Sequence, residues 1–344
     1  MKCAVVITAY NEEANIGCVL QALYAQRLTR VAIAQILVVA SGCTDRTEAI
    51  VTAYAREHPE IILVHQPRRE GKASAINLAK RHLVAYEVIV LHSADVIPAR
   101  ETIERLVAPF DDPQVGMTGA HPVPTNSPTS LMGYTAHLLW ELHHRVALQR
   151  PKMGEVIAFR NVFRQIPTDS AVDEASIEPL IIGQGLKVCY VPEAIVYNRG
   201  PETVRDFLKQ RRRIYAGHLY LQEKLGYRVA TMGLLPALFT LFRRGTMGAY
   251  SACRPAVGNT VFLHHAVWAS AAIVLELGGR LLGLVDHVTR RKSLFIWPVA
   301  KTTKAPLSVM LGADNTDMVV WPISGASTTI VRPAGEENSL PHAE

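Results

Sequence analysis

The chain predicts an α/β fold, a mostly parallel sheet flanked by helices with a hydrophobic helical extension behind it. Three observations carry that prediction. Short apolar runs rich in Val and Ile recur at 3–8, 36–39, 61–64 and 88–92, each closed by a polar turn. Longer stretches of helical period lie between them, which is the alternation that parallel βαβ units require. A long apolar segment over 261–285 then stands apart from this alternation.

Taken in order, the first strand over 3–8 gives way to Ala9-Tyr10-Asn11-Glu12-Glu13. Asn11 is the expected N-cap of a helix over 12–26, with two glutamates in its first turn. Ile36–Val39 is the second strand, and Asp45 with Glu48 reads as a capping box opening the next helix. Ile61–Val64 is the third strand, leading through the loop 66–71 to a helix over 72–82. Val88-Ile89-Val90-Leu91-His92 reads as a buried parallel strand that runs into Ser93-Ala94-Asp95, with Pro98 blocking further extension. In open α/β sheets ligands sit beyond the carboxyl ends of the strands, so Asp95 is expected at the rim of a pocket.

After 116–120 the spacing changes. Pro122, Pro124 and Pro128 mark a loop before a helix over 129–149 that carries His143 and His144. Adjacent residues do not share a helix face, so this pair reads as core or surface histidines rather than metal ligands. A strand over 155–164 and a helix over 169–182 containing Asp173-Glu174 come next. Short strands at 187–191 and 194–197 precede a long helix over 203–224 with Gln210-Arg211-Arg212-Arg213. Val229–Leu241 contains Pro236 and is too short to cross a bilayer. The segment 261–285 is long enough but holds Glu276 and Arg280, which can pair at i,i+4. The basic flanks Arg243-Arg244 and Arg290-Arg291-Lys292 favour a helix attached at the membrane surface. The organisation read from these patterns is an α/β domain over 1–225, a hydrophobic helical region over 226–300 and a loosely ordered tail over 301–344.

With 344 residues the chain can build a sizeable core. Its formal charge of +6 suits an anionic small substrate or an anionic membrane surface. The five cysteines are scattered without a CxxC pair, which points to reduced thiols and away from a disulfide framework or zinc site. The first residues turn polar too soon for a signal peptide. The expected location is therefore cytoplasmic, peripheral or monotopic at the inner face of the cell membrane. No nucleic-acid motif accompanies the basic residues, so nucleic acid is not an expected partner.

Several pieces occur together in one order: Thr8-Ala9-Tyr10-Asn11-Glu12, Ala40–Thr47, Glu70–Asn77, Ser93-Ala94-Asp95, Val172-Asp173-Glu174, Tyr190–Ala194 and Gln210–Arg213. This ordered set resembles the family 2 glycosyltransferases of the GT-A fold, which implies that 1–225 is the catalytic domain, with 1–120 its nucleotide-binding half and 121–225 its acceptor half. The resemblance implies an inverting glycosyltransferase that moves a sugar from a nucleoside-diphosphate donor, a UDP-sugar by family habit, to an acceptor hydroxyl. Lipid-linked or cell-surface glycan precursors are the implied acceptors, with a single sugar added per event. It implies that Glu174 is the catalytic base, with Asp173 as its neighbour and alternative, and that Asp95 holds Mg²⁺ or Mn²⁺. Ala9, Tyr10, Asn11, Glu12, Ser41, Asp45, Lys72, Ser93, Ala94, Gln210 and Arg213 are the implied donor-binding residues.

The chemistry asks for the same residue types independently. A departing diphosphate needs a divalent cation or positive side chains, a carboxylate is a hard oxygen ligand, and a neutral hydroxyl needs a base. Lys72, at a loop-to-helix junction, offers phosphate both an ammonium and a helix N-terminus.

The sequence also departs from the family pattern. Ala40-Ser41-Gly42-Cys43 stands where Asp-Asp-Gly-Ser is usual, Ser93 replaces the first aspartate of Asp-x-Asp, and Asn198 follows Tyr197 where many members have His. Ile214 stands where Trp is usual, and the acidic pair reads Asp-Glu rather than Glu-Asp. These changes sustain an alternative, a catalytically degenerate scaffold that binds nucleotide or glycan without turnover.

Overall fold

A computed structural model describes residues 1–168, 172–232, 259–289, 299–307, 309–311 and 318–320. Four parallel strands build the first half of the sheet: β1 (Lys2–Ala9), β2 (Ala32–Ser41), β3 (Ile61–Gln66) and β4 (Val88–Ser93). Helices α1 (Ile16–Tyr24), α2 (Thr47–Glu57) and α3 (Lys72–His82) connect them. The short β5 (Val96–Pro98) precedes α4 (Thr102–Val107) and the long β6 (Val115–Pro124). Then follow α5 (Leu131–Gln149), β7 (Ile157–Arg160), α6 (Asp173–Ile182), β8 (Lys187–Asn198) and α7 (Val204–Leu225). The eight strands form one sheet in the order β3-β2-β1-β4-β7-β6-β8-β5. β7 is antiparallel to both neighbours and β5 antiparallel to β8, so the sheet is parallel in its first half and mixed in its second.

Alternation along the strands divides the apolar core between two faces. Val5, Ile7, Val38 and Val90 pack under α1 and α4 on one side, and Val6, Leu37, Leu91 and Phe159 pack against α3 on the other. The helix expected over 72–82 and the strands in the first half stand where their periodicity placed them.

Several boundaries differ for identifiable reasons. α1 begins at Ile16 instead of following Asn11. Asn11 sits at φ +52, where Asn is tolerated, and its side chain clasps Thr44 across the loop instead of capping a helix. Asp45 and Glu48 form no capping box: Asp45 accepts from the Thr47 and Glu13 amides, while Glu48 turns to His65 Nδ1 at 2.8 Å. The prolines read as a loop lie partly in β6, because its flank beyond Gly119 has no β7 partner and a missing N–H costs nothing there. The two short strands read at 187–191 and 194–197 are one strand, β8. Its pairing with β6 shifts register between Gly119 and His121, and Pro192 occupies that bulge.

A last described helix, α8 (Asn259–Thr289), packs along α7. Added Cβ atoms at Gly279 and Gly283 would lie 2.5 Å from Arg211 Cβ and 2.7 Å from the Arg212 carbonyl, so the two helices meet at glycine. Arg211 Nε lies 2.6 Å from Glu276, and Arg280 joins the same carboxylate at 2.8 Å. Arg212 pairs with Asp286. The pairing expected between Glu276 and Arg280 is therefore present and recruits α7 as well. The stretch 233–241 of the expected Val229–Leu241 segment, the basic flanks at 243–244 and 290–292, and 321–344 of the tail lie outside the described residues. The beginning of that tail is docked: Leu307 is buried, and its amide donates to Asn15 Oδ1 at 2.8 Å.

Candidate active site

The carboxyl ends of β1, β2 and β4 open into a cavity of about 510 Å³ whose far wall is formed by α5, α6 and α7. The strand-end positions follow from register: Thr8 pairs with Ser93 and Ala9 with Ala40, so the loops after β1, β2 and β4 emerge side by side. Gly42 (φ +64) is needed here, because an added Cβ would lie 2.5 Å from the Arg69 amide. Gly71 (φ +93) turns the chain so that Lys72 opens α3 toward the cavity.

Of the residues expected from sequence, Ala9, Tyr10, Glu12, Ser41, Lys72, Ser93, Ala94, Asp95, Asp173, Glu174, Gln210 and Arg213 all line this cavity. Residues from six separate segments therefore converge on one place. Asn11 and Asp45 are not on its wall. Their side chains bind the neighbouring turn, which places them as supports of the loops that carry Tyr10 and Glu12.

Two acidic clusters occupy the cavity. In the first, Lys72 Nζ lies 2.8 Å from Glu174 Oε1 and 3.5 Å from Asp173 Oδ2. Burial pushes the Asp173 carboxyl up to about 6 against the pull of Lys72. Glu174 is held below the usual carboxylate range because the Lys72 ammonium outweighs its burial. The Lys72 ammonium is itself stabilised in its charged form by the two carboxylates, despite its burial. Glu174 is the more open of the pair, its side chain 19% exposed against 7% for Asp173.

The second cluster contains Asp95, Glu155 and Asn198. Val96 pairs with Asn198 across β5 and β8, which sets Asp95 beside Asn198. Asn198 Nδ2 donates to Glu155 Oε1 at 3.1 Å, and the Ser93 hydroxyl donates to the Glu155 carbonyl at 3.3 Å. Burial, then the charge of Asp95, push the Glu155 carboxyl up to about 7. Glu12, nearby, is raised to about 7 by burial and by Asp95, against the opposing charge of Lys304. Among the described residues, neither Asp95 nor Glu155 forms an ion pair, and the buried acceptors Asn198 Oδ1 and Glu12 Oε2 have no hydrogen-bond partner. Carboxylate and amide oxygens in this state are the donor set that a hard divalent cation takes.

Sequence reasoning missed four contributors. Arg69 stacks over Tyr10, with its guanidinium carbon 4.1 Å from the ring centroid. Lys304 arrives from the tail to meet Glu12 and the Tyr10 carbonyl. Lys152 lines the cavity, and burial, with Arg211 nearby, lowers its ammonium to about 8. Glu155 is the fourth. Only Glu155 left a signal in the sequence, an acidic residue inside the otherwise apolar run Met153–Phe159.

The chain matches Glycosyl transferase family 2 over residues 4–171 and Glycosyl transferase family group 2 over residues 88–299. It belongs to the family 2 glycosyltransferases, and its fold is GT-A. Among curated proteins it is 34% identical over 106 residues to "Dolichyl-phosphate beta-glucosyltransferase ALG5C" of Trichomonas vaginalis, covering 29% of this chain and 31% of that protein. It is 38% identical over 61 residues to "Dolichyl-phosphate beta-glucosyltransferase ALG5A" of the same organism, covering 18% and 19%. The matched stretch thus spans less than a third of either relative. Among solved structures, the mannosyltransferase PcManGT from Pyrobaculum calidifontis, in complex with GDP-Man and Mn²⁺, superposes with a TM-score of 0.57 at 22% identity. That match covers 84% of this chain and 88% of the other, and it bears on the fold alone.

Proposed function

We propose that the protein transfers one sugar, with inversion, from a nucleoside-diphosphate donor to an acceptor hydroxyl. The observation that carries this reading is the convergence of Lys72, Asp173 and Glu174 with Asp95 in one cavity at the strand ends. Tyr10 and Arg69 frame the nucleoside, and Lys72 with the N-terminus of α3 receives the diphosphate. A divalent cation, Mg²⁺ or Mn²⁺, fits beside Asp95 and supplies charge neutralisation at the diphosphate. The acceptor oxygen attacks the anomeric carbon, its proton passes to Glu174, and the diphosphate leaves with the bonding pair toward Lys72 and Arg213. A diphosphate that draws Lys72 also frees Glu174 from its ion pair and strengthens it as a base, which couples donor binding to activation of the acceptor.

The acceptor we infer is lipid-linked. α8 presents Val267, Val274, Leu281 and Val288 as an exposed apolar stripe at seven-residue spacing. Ala266–Thr289 is long and apolar enough to cross a membrane by composition alone, but its ion pairs to α7 favour a helix lying at the surface. A second reading has the acceptor as a lipid phosphate, whose nucleophile is already ionised. Lys152, a buried cation on the cavity wall with no ion pair among the described residues, favours it, as do the names of the two curated relatives.

The test is nucleotide release and product formation from UDP-, GDP- and dTDP-sugars with Mn²⁺, Mg²⁺ or EDTA, in the presence of polyprenol, polyprenyl phosphate or glycolipid in vesicles. Metal-dependent transfer with inverted anomeric configuration is expected. Nucleotide binding without turnover across the panel would favour the scaffold reading.

A further inference from the structure

Two of the positions at which the sequence departs from the family pattern, Ser93 and Asn198, both touch one residue, Glu155. The Ser93 hydroxyl donates to the Glu155 carbonyl at 3.3 Å, and the Asn198 amide donates to the Glu155 carboxylate at 3.1 Å. Glu155 is held at φ +45, a backbone region that a glutamate occupies only when its surroundings impose it. Asn198 is 5% exposed, and because its NH₂ faces the Glu155 carboxylate, its oxygen is left with no partner on the cavity wall. Turning the amide over would set oxygen against oxygen, so the orientation is fixed by Glu155 itself. Val96 pairs with Asn198, which sets its neighbour Asp95 at the same edge; Asp95 and Glu155 line the same cavity, and Asp95 has no ion-pair partner among the described residues.

We propose that Glu155 is a relocated metal ligand. With Asp95 and the side-chain oxygen of Asn198 it forms an all-oxygen site for Mn²⁺ or Mg²⁺, in place of the aspartate lost at Ser93 and the histidine lost at Asn198. Oxygen donors alone favour these hard cations over zinc, which prefers nitrogen and sulfur. The left-handed backbone at Glu155 turns a carboxylate from the loop before β7 onto the cavity wall that Ser93 and Asp95 also line. The inference rests on the metal-dependent reading above.

The test is Mn²⁺ binding to the full chain, read by loss of the free-ion electron paramagnetic resonance signal, with and without UDP or GDP. It compares wild type with D95A, E155Q, N198A and the double variant S93D/E155Q, each checked for a cooperative melt. The expected result is abolition in D95A and loss of affinity by roughly ten- to a hundredfold in E155Q and N198A. Return toward wild type is expected in S93D/E155Q, because the aspartate is back at its family position. Mn²⁺ bound by E155Q and N198A as by wild type, but lost in D95A, would overturn the role of Glu155 and leave the metal reading standing. No Asp95-dependent Mn²⁺ binding in wild type, with nucleotide present, would remove the metal reading and this inference with it.

Discussion

The two acidic clusters share one cavity and differ in how their charge is balanced. Asp173 and Glu174 hold a lysine between them, so the cluster is compensated within the protein. Asp95 and Glu155 crowd each other, and no ion pair forms on either among the described residues. A compensated carboxylate pair can stay ionised and handle a proton. A buried carboxylate without an ion pair is disfavoured in its charged form, as Glu155 is, and an external cation relieves it. In the reading we propose, the same residue type serves two tasks, and the ion pairs of Lys72 distinguish the first cluster from the second.

The sharpest way to separate the clusters is Glu174→Gln, which keeps shape and removes the base. With a hydroxyl acceptor kcat falls by about 10²- to 10⁴-fold while donor affinity is little changed. Retention of turnover with a lipid-phosphate acceptor would identify that second acceptor class instead. Lys72→Met strips the first cluster of its balance, and kcat/KM falls by about a hundredfold as the diphosphate contact goes. The pH–rate profile reports the same change. Asp173 is raised to about 6, so wild-type activity declines as pH falls through that value and the pair takes up a proton. Without the ammonium the ionised forms are less favoured, and the acid limb moves to higher pH.

A smaller effect tests the second cluster without any substrate. In EDTA, Glu155→Gln relieves the repulsion with Asp95, and the melting temperature rises by about 2–4 °C. Mn²⁺ reverses the order, raising wild type above the variant by mass action. A variant that melts below wild type in EDTA would mean that Glu155 is a structural anchor and not a crowded ligand.

The first half of the fold was legible because its signals are local. Val88–Leu91, Lys72–His82 and Ile61–Val64 each declare their period within a few residues, and their order alone implies a parallel sheet. The second half depends on pairing partners far away in sequence. Pro122 and Pro124 look like loop residues until one sees that β7 leaves that flank of β6 open. Most of the site was legible as motifs, and the cavity gathers Tyr10, Lys72, Asp95, Glu174 and Arg213. Asn11 and Asp45 are implied as donor-binding residues by the resemblance, and in the structure their side chains hold the neighbouring loop backbone. Lys304 and Glu155 gave little or no local sign. One arrives from the tail and the other depends on a left-handed turn, and neither is encoded in a short window.

In the proposed function the Asp95 cluster binds the donor and the Glu174 cluster reacts. The direct test is calorimetric titration of a nucleoside-diphosphate donor in Mn²⁺ into Glu174→Gln and Asp95→Ala, each confirmed as folded. Glu174→Gln is expected to bind donor as wild type does, and Asp95→Ala is expected not to. Wild-type affinity in Asp95→Ala together with lost binding in Glu174→Gln would contradict it.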